Sequence, residues 1–395
     1  MIVAVMTTTS AARKLRKTRA AVAALLAGTL VTAAAVPATA APQDRPELRA
    51  AVEAFADAGF LGIQVRVRDE RGEWVGSAGR RSLDGNAQPP TDGRYRIGST
   101  TKPIVATVVL QLVAEGRLGL DAPVADHLPR FGLDRRITTR MLLQHTSGLF
   151  NYTGEYFPDG TVVPGLPSTG KDWVDHRFDT YHPDELVRFA LAKPPRFAPG
   201  TGFSYSNTNY TVAALLIEAV TGRSYGDEVH RRILRPLGMR DTVVPGSWSG
   251  LPGPHSRGYY RYQDGGQWKV VDVTRQDPSL LFGAGDMIST TADLGRFSTA
   301  LQSGELLPAP LMAEMRKPDP TLGYGLGIFV QDLGCGTVLH HNGSPPGGYG
   351  SLMYSSPDGK RTLTAGVTAG DADVNPGAAL NQVLPKLLTT AFCGD

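Results

Sequence analysis

The link Ser356-Pro357-Asp358-Gly359 joins two strand-like runs, Gly350–Tyr354 and Thr362–Thr368, by little more than a turn. A parallel crossover needs a dozen or more residues, so these two strands must run antiparallel. Two more strand-like runs, Tyr324–Gln331 and Thr337–His341, precede them. Near the other end, Gly62-Ile63-Gln64-Val65-Arg66-Val67-Arg68 alternates in the same way and is followed by Glu73–Gly79. The middle is helical, with periodic segments at Ile104–Glu115, Thr138–His145, Pro183–Ala192, Asn207–Thr221 and Gly226–Leu237. Pro46–Ala58 and Ala378–Phe392 read as helices at the two ends. The pattern predicts an α/β fold: a largely antiparallel sheet made from both chain ends, flanked by the first and last helices, with a mostly helical insert. Residues 41–100 with 266–395 form the expected α/β unit, and 101–265 the helical one. Phe157–Asp179, rich in Pro, Gly and Asp, has little periodicity and reads as a long functional loop.

Charge is distributed unevenly along this framework. The chain has 40 Lys+Arg against 37 Asp+Glu. Five of the basic residues (Arg13, Lys14, Arg16, Lys17 and Arg19) lie in the first forty positions, which hold no acid. The remainder is slightly acidic, so a nucleic-acid-binding body loses its main support. The basic start, the apolar Ala20–Val36 stretch and Ala38-Thr39-Ala40 read as a secretory signal cleaved near Ala40. The mature chain is then expected to be secreted, without a stable membrane anchor; a retained signal anchor is the alternative. Two cysteines alone build no metal cluster. In an exported chain Cys335 and Cys393 are either free buried thiols or, the favoured state, a disulfide.

Several hydrolase signatures are absent: no Gly-x-Ser-x-Gly, no His-Glu-x-x-His, and no phosphate-cradling glycine loop, so neither metal nor cofactor is expected. Ser-x-x-Lys occurs twice, as Ser99-Thr100-Thr101-Lys102 and Ser168-Thr169-Gly170-Lys171. Ser168 lies in the Pro/Gly loop, where nothing fixes the geometry. Ser99 stands where strand-like Tyr95–Gly98 meets a helix, so Lys102 shares its face and can reach the hydroxyl. The helix start adds free N–H groups and a positive dipole. An ordinary N-cap would explain Ser99 but not Lys102, since the dipole prefers an acid there. Buried beside other cations, a lysine loses its proton more readily and can act as a base. Tyr205-Ser206-Asn207 before a helix and His341-Asn342-Gly343 at a strand end are each weak alone. In this order they form a constellation.

The constellation resembles the serine β-lactamase and penicillin-binding protein superfamily, in its class C-like branch. It is most similar to the secreted D-alanyl-D-alanine carboxypeptidases with a His-x-Gly third motif. Tyr95-Arg96-Ile97-Gly98, Leu143–Leu149, Phe203–Asn209, Tyr324-Gly325-Leu326-Gly327 and the positions of Cys335 and Cys393 extend the likeness over the mature chain. The resemblance implies Ser99 as the acylated nucleophile, with Lys102 and Tyr205 moving the proton. It also implies that Asn207 orients the substrate amide, and that His341 supplies a group ionisable near neutral pH. Asn342, Gly343 and Ser344 would bind substrate, with the N–H groups of Ser99 and Ser344 forming an oxyanion hole, and Phe157 would line the cleft. Carboxypeptidases of this kind carry an arginine after Gly-Leu-Gly for the terminal carboxylate. Here Phe329 falls at or near that position, and Asn342 replaces a common hydroxyl residue.

The implied activity is a penicillin-sensitive D-alanyl-D-alanine carboxypeptidase. Its partners would be D-amino-acid peptides or peptidoglycan stem peptides, with β-lactams as acylating ligands. A D-aminopeptidase or D-amidase, an esterase and a class C-like β-lactamase share the acyl-serine chemistry and are the enzymatic alternatives. An inactive peptidoglycan- or penicillin-binding module is the reading from another class; the intact Ser99, Lys102, Tyr205 and Asn207 argue against it.

Overall fold

The structure is a computed structural model in which residues 44–157 and 160–394 are described. The expected secretory signal and its cleavage near Ala40 fall outside the described residues. Residues 44–394 belong to one compact unit. Its centre is a six-stranded sheet in the order Gly72–Gly79, Gly62–Asp69, Thr362–Thr368, Tyr349–Ser355, Thr337–Gly343, Phe329–Asp332. Every pairing is antiparallel, with Val65 opposite Ala365 and His341 opposite Met353. The two chain ends therefore do meet in one sheet.

Alternation along the strands sends their side chains to two different cores. On one face Val65, Leu352 and Ala365 meet the first and last helices, Pro46–Asp57 and Pro376–Phe392, through Leu48, Phe55, Leu387 and Phe392. On the other, Tyr95, Leu339 and Met353 join the larger core built by the helices Thr101–Ala114 and Asn207–Thr221. The Thr101–Ala114 helix is buried almost all round, which explains why its sequence shows no polar stripe. Among the described residues no helix is long and apolar enough to cross a membrane.

The structure departs from the sequence reading in five places. Tyr324–Gln331 is not one strand: pairing begins at Phe329, and the chain before it turns at Gly327. A Cβ on Gly327 would lie 2.6 Å from that of Ala106, so close packing against the Thr101–Ala114 helix sets the turn. Gly226–Leu237 is a short α-helix, Tyr225–Val229, followed by a π-turn over His230–Leu234. The Phe157–Asp179 loop contains a helix, Gly170–His176. The helix Thr291–Gln302 and the hairpin of Tyr259–Asp264 with Gln267–Asp272 were not anticipated. Cys335 and Cys393 are disulfide-bonded, tying the start of the Thr337–Gly343 strand to the end of the last helix.

Candidate active site

The chain leaves the two-residue strand Tyr95–Arg96, turns at Gly98 and enters a 3₁₀ turn, Gly98–Thr100, that leads into the Thr101–Ala114 helix. The end of the Thr337–Gly343 strand presses directly on this turn. A Cβ on Gly98 would stand 2.9 Å from Ser344 N, and one on Gly343 would stand 1.9 Å from the Ile97 carbonyl oxygen and 3.0 Å from Ser99 N. Only glycine permits that approach. Thr100 occupies the helix N-cap and makes no side-chain cap bond. Capping therefore does not claim the Ser99 hydroxyl.

Lys102 is fully buried, and its Nζ has three partners: Ser99 Oγ at 2.9 Å, Asn207 Oδ1 at 2.9 Å and the Ala284 carbonyl oxygen at 2.7 Å. Two of them, the amide oxygen and the carbonyl oxygen, can only accept. A neutral amine would spend both N–H bonds on those two, leaving its lone pair for Ser99 O–H. Burial pushes the lysine well below its ordinary value, with the Asp286 carboxylate acting in the opposite sense. The short contact and the electrostatics together describe an amine that is able to take the Ser99 proton when neutral.

Tyr205 stands over this contact, its ring centre 4.9 Å from Lys102 Nζ and its hydroxyl near enough to Ser99 to feel it. Burial pushes the phenol up, so it holds its proton. His145 braces it, with ring centres 4.2 Å apart. His145 Nδ1 accepts from Ser206 N (3.2 Å) and Asn209 Nδ2 (3.1 Å), which anchors the backbone just after Tyr205. Among the described residues His145 is the non-glycine residue with positive φ, 62°, a strained conformation that concentrates at functional sites. No sequence motif marks it. The positive φ comes from tertiary packing, and only the Leu143–Leu149 likeness pointed to the region.

His341 lies beside this group but does not ionise near neutrality as expected. It is buried, its Nδ1 donates to the Asn342 carbonyl oxygen (2.7 Å), and its Nε2 accepts from Tyr324 O–H (3.2 Å). Burial, with Lys102 nearby, pushes it well below the usual histidine value, so it is neutral at pH 7. Asn342 does not join it: strand alternation turns its side chain to the opposite face of the sheet, where Nδ2 donates to Tyr354 Oη (2.8 Å). Asn207 does join, holding Lys102 through Oδ1 and Thr153 Oγ1 through Nδ2 (3.2 Å). The Phe157 ring packs under the Arg196 guanidinium at 3.4 Å, outside the hydrogen-bonded cluster. Phe329 stacks on His340 and meets Tyr324 edge-on, so aromatic surface stands where a carboxylate-binding arginine was sought. The second Ser-x-x-Lys is not assembled: Ser168 Oγ donates to the Thr153 carbonyl oxygen (3.3 Å), while Lys171 pairs with Asp175.

Two further features were not foreseen. Asp286 is buried close to Lys102 and accepts a hydrogen bond from Tyr225 O–H. Beyond Ser344 lies a cavity of about 650 Å³, lined by Phe60, Leu352, Val367, Val374 and Leu380 with Trp268 at its side. Among the described residues no group of three or more His, Cys, Asp or Glu is placed to hold a metal ion.

Residues 48–382 match the family model for Beta-lactamase. The chain is 29% identical over 334 residues to a putative penicillin-binding protein, PbpX, of Bacillus subtilis (strain 168), covering 83% of this chain and 74% of that protein. It is 36% identical over 224 residues to the esterase EstB of Burkholderia gladioli, covering 53% of this chain and 55% of the esterase. Its fold superposes on a D-stereospecific amidohydrolase from Streptomyces sp. with a TM-score of 0.77 and 38% identity. That match covers 89% of this chain and all of the other.

Proposed function

Because the chain belongs to the Beta-lactamase family, within the serine β-lactamase and penicillin-binding protein superfamily, we propose that it is a serine acyl hydrolase of D-amino-acid amides and peptides. The observation that carries this reading is the Lys102 Nζ, dry and 2.9 Å from Ser99 Oγ, close enough to take its proton once the amine is neutral. Lys102 takes the Ser99 proton as Oγ attacks the substrate carbonyl carbon. The N–H groups of Ser99 and Ser344 receive the oxyanion. Tyr205 O–H protonates the leaving nitrogen as the C–N bond breaks, and Lys102 returns a proton to Tyr205. Water then attacks the acyl-Ser99 ester, and the acid leaves with Ser99 restored.

The likeness to a D-stereospecific amidohydrolase supports an amide substrate of D configuration. A D-alanyl-D-alanine carboxypeptidase is the second reading, supported by the motif set and the likeness to a penicillin-binding protein. Phe329 weighs against strict carboxypeptidase specificity, because a carboxylate entering a dry cleft needs a charged donor. Measuring kcat/KM on D-Ala-D-Ala peptides, their C-terminal amides, D- and L-amino-acid amides, a short ester and a chromogenic cephalosporin tests both. We expect D-amides to be cleaved faster than L-amides and the acid-to-amide ratio to be modest. A ratio above about a hundred, near the top of the range for a buried charge-assisted bond, would establish the carboxypeptidase instead. Acylation of Ser99 without turnover of any of these would identify a binding module.

A further inference from the structure

Asp286 is the buried charge that the acyl-transfer scheme leaves without a task. It is 2% exposed, and its Oδ1 has no partner among the described residues. Its Oδ2 accepts from Tyr225 O–H. An unpaired carboxylate oxygen in a dry interior is costly and calls for a reason.

The backbone around it supplies one. Ala284, two residues earlier, accepts from Lys102 Nζ at 2.7 Å. Met287, one residue later, donates its N–H to Thr101 Oγ1 (3.4 Å) and accepts at its carbonyl from Ile97 N (3.1 Å). The segment 284–287 is thereby fastened to the nucleophile turn on both sides, with the Asp286 side chain between the fastenings. A void of about 20 Å³, room for one water, opens beside Asp286, Gly285 and Pro345.

The charged and titratable surroundings are few. Lys102 meets Tyr205 and Tyr210 through their ring faces. His145 and His341 sense it, and both are driven towards the neutral form. Around Asp286 stand Tyr225 and Tyr152, with Glu218 holding Tyr225 N through Oε1 (3.1 Å). Arg96 and Asp277 line the same small void. Arg96 Nη2, however, is spent on the carbonyls of Ser249, Gly250 and Thr274, its Nε and Nη1 have no partner among the described residues, and the acid that acts on it is Asp277, not Asp286. Asp286 is therefore the acid that acts on Lys102.

We propose that Asp286 is the counter-charge of Lys102, a positioning residue that decides when the amine is free to take the Ser99 proton. With Asp286 ionised and Lys102 an ammonium, Ser99 keeps its proton. When one proton leaves this pair for solvent, the amine lone pair turns to Ser99 O–H and attack can begin. The sign follows directly. An ionised Asp286 favours the ammonium, so removing its charge must free the amine at lower pH. Asp286 itself is pushed up to about 6 by burial, against the Tyr225 hydrogen bond, the backbone N–H groups of Gly283 and Asp286 and the Lys102 charge, all of which favour its ionised form.

The test rests on the proposed role of Lys102 as base and uses the full chain. The readout is kcat/KM for a D-amino-acid amide from about pH 5 to 9. Asp286→Asn, which keeps the shape, should move the acid limb to lower pH by about 1–2 units, the scale for one close opposite charge. Tyr225→Phe, which makes the carboxyl easier to protonate, should move it the same way by less, and decides the matter if Asp286→Asn does not fold. An unmoved limb with activity lowered equally at every pH would reduce Asp286 to a structural residue and overturn the proposal, as would a limb moved upward. Failure of the wild-type chain to be acylated at Ser99 by a labelled penicillin would instead strike at the catalytic reading beneath it.

Discussion

Replacing Tyr205 by Phe removes one hydroxyl and leaves the ring in its stack, 4.2 Å from His145 and 6.2 Å from Tyr324. The loss to folding is one hydrogen bond, about 0.5–1.5 kcal/mol, so the variant should fold. Its catalytic effect should depend on the leaving group. An amide nitrogen cannot depart without a proton, and losing a positioned acid costs about 10²–10⁴-fold. An activated aryl ester leaves as a stable anion and needs no such delivery. Lys102 still takes the Ser99 proton in the variant, because its 2.9 Å contact with Ser99 does not pass through Tyr205. Tyr205→Phe should therefore lower kcat/KM on a D-amino-acid anilide or amide by about 10²–10⁴-fold, and on a nitrophenyl ester by about tenfold or less. Parallel assays on one enzyme preparation read the difference directly. Equal losses on both substrates would mean that Tyr205 serves the attack and not the departure, and the division of labour with Lys102 would have to be redrawn.

Lys102→Met should slow covalent labelling of Ser99 by a penicillin about 10²–10⁴-fold, whereas Ser168→Ala should leave it unchanged; peptide mapping of the adduct checks both. His145 and His341 are both held well below the unfolded histidine value. Their contribution to stability should therefore be complete above about pH 6.5 and be lost as the pH falls below it. Urea midpoints on either side of that pH measure the trend, and imidazole NMR signals should show both rings neutral at pH 7.

The sheet was legible in the sequence because alternation and a short turn are local signals. Ser99 and Lys102 were legible for a related reason: three residues on a helix start set their distance without help from the rest of the fold. Two elements carried readable signals that went unread. Thr290 caps Asp293 N in front of Leu294, Phe297 and Leu301, and Gly265-Gly266 forms the turn of a hairpin. Asp286 could not be read this way. Its meaning depends on Tyr225 and Lys102, which approach it only through packing. Asn342 was misplaced because the motif names three consecutive residues, whereas a strand sends its middle side chain to the other face. Gly327 broke an otherwise convincing strand for the sake of contact with Ala106 and Tyr210, a demand made by the neighbouring helices.

The pairing of Gly62–Asp69 with Thr362–Thr368 also bears on how the molecule comes into being. The early strand is synthesised some three hundred positions before the partner that closes its edge, as the pairing of Gly62 with Thr368 makes plain. Until that partner arrives, the early hairpin offers open backbone groups and half a core. Contacts so distant along the chain make for slow folding and leave the partly folded chain prone to stick to others. The nucleophile turn shares this timing, since Gly98 and Ser99 are packed by Gly343 and Ser344. Catalytic competence should thus appear only at the end of assembly, all at once, and a chain cut short before Thr362 would carry Ser99 and Lys102 with no finished site to hold them.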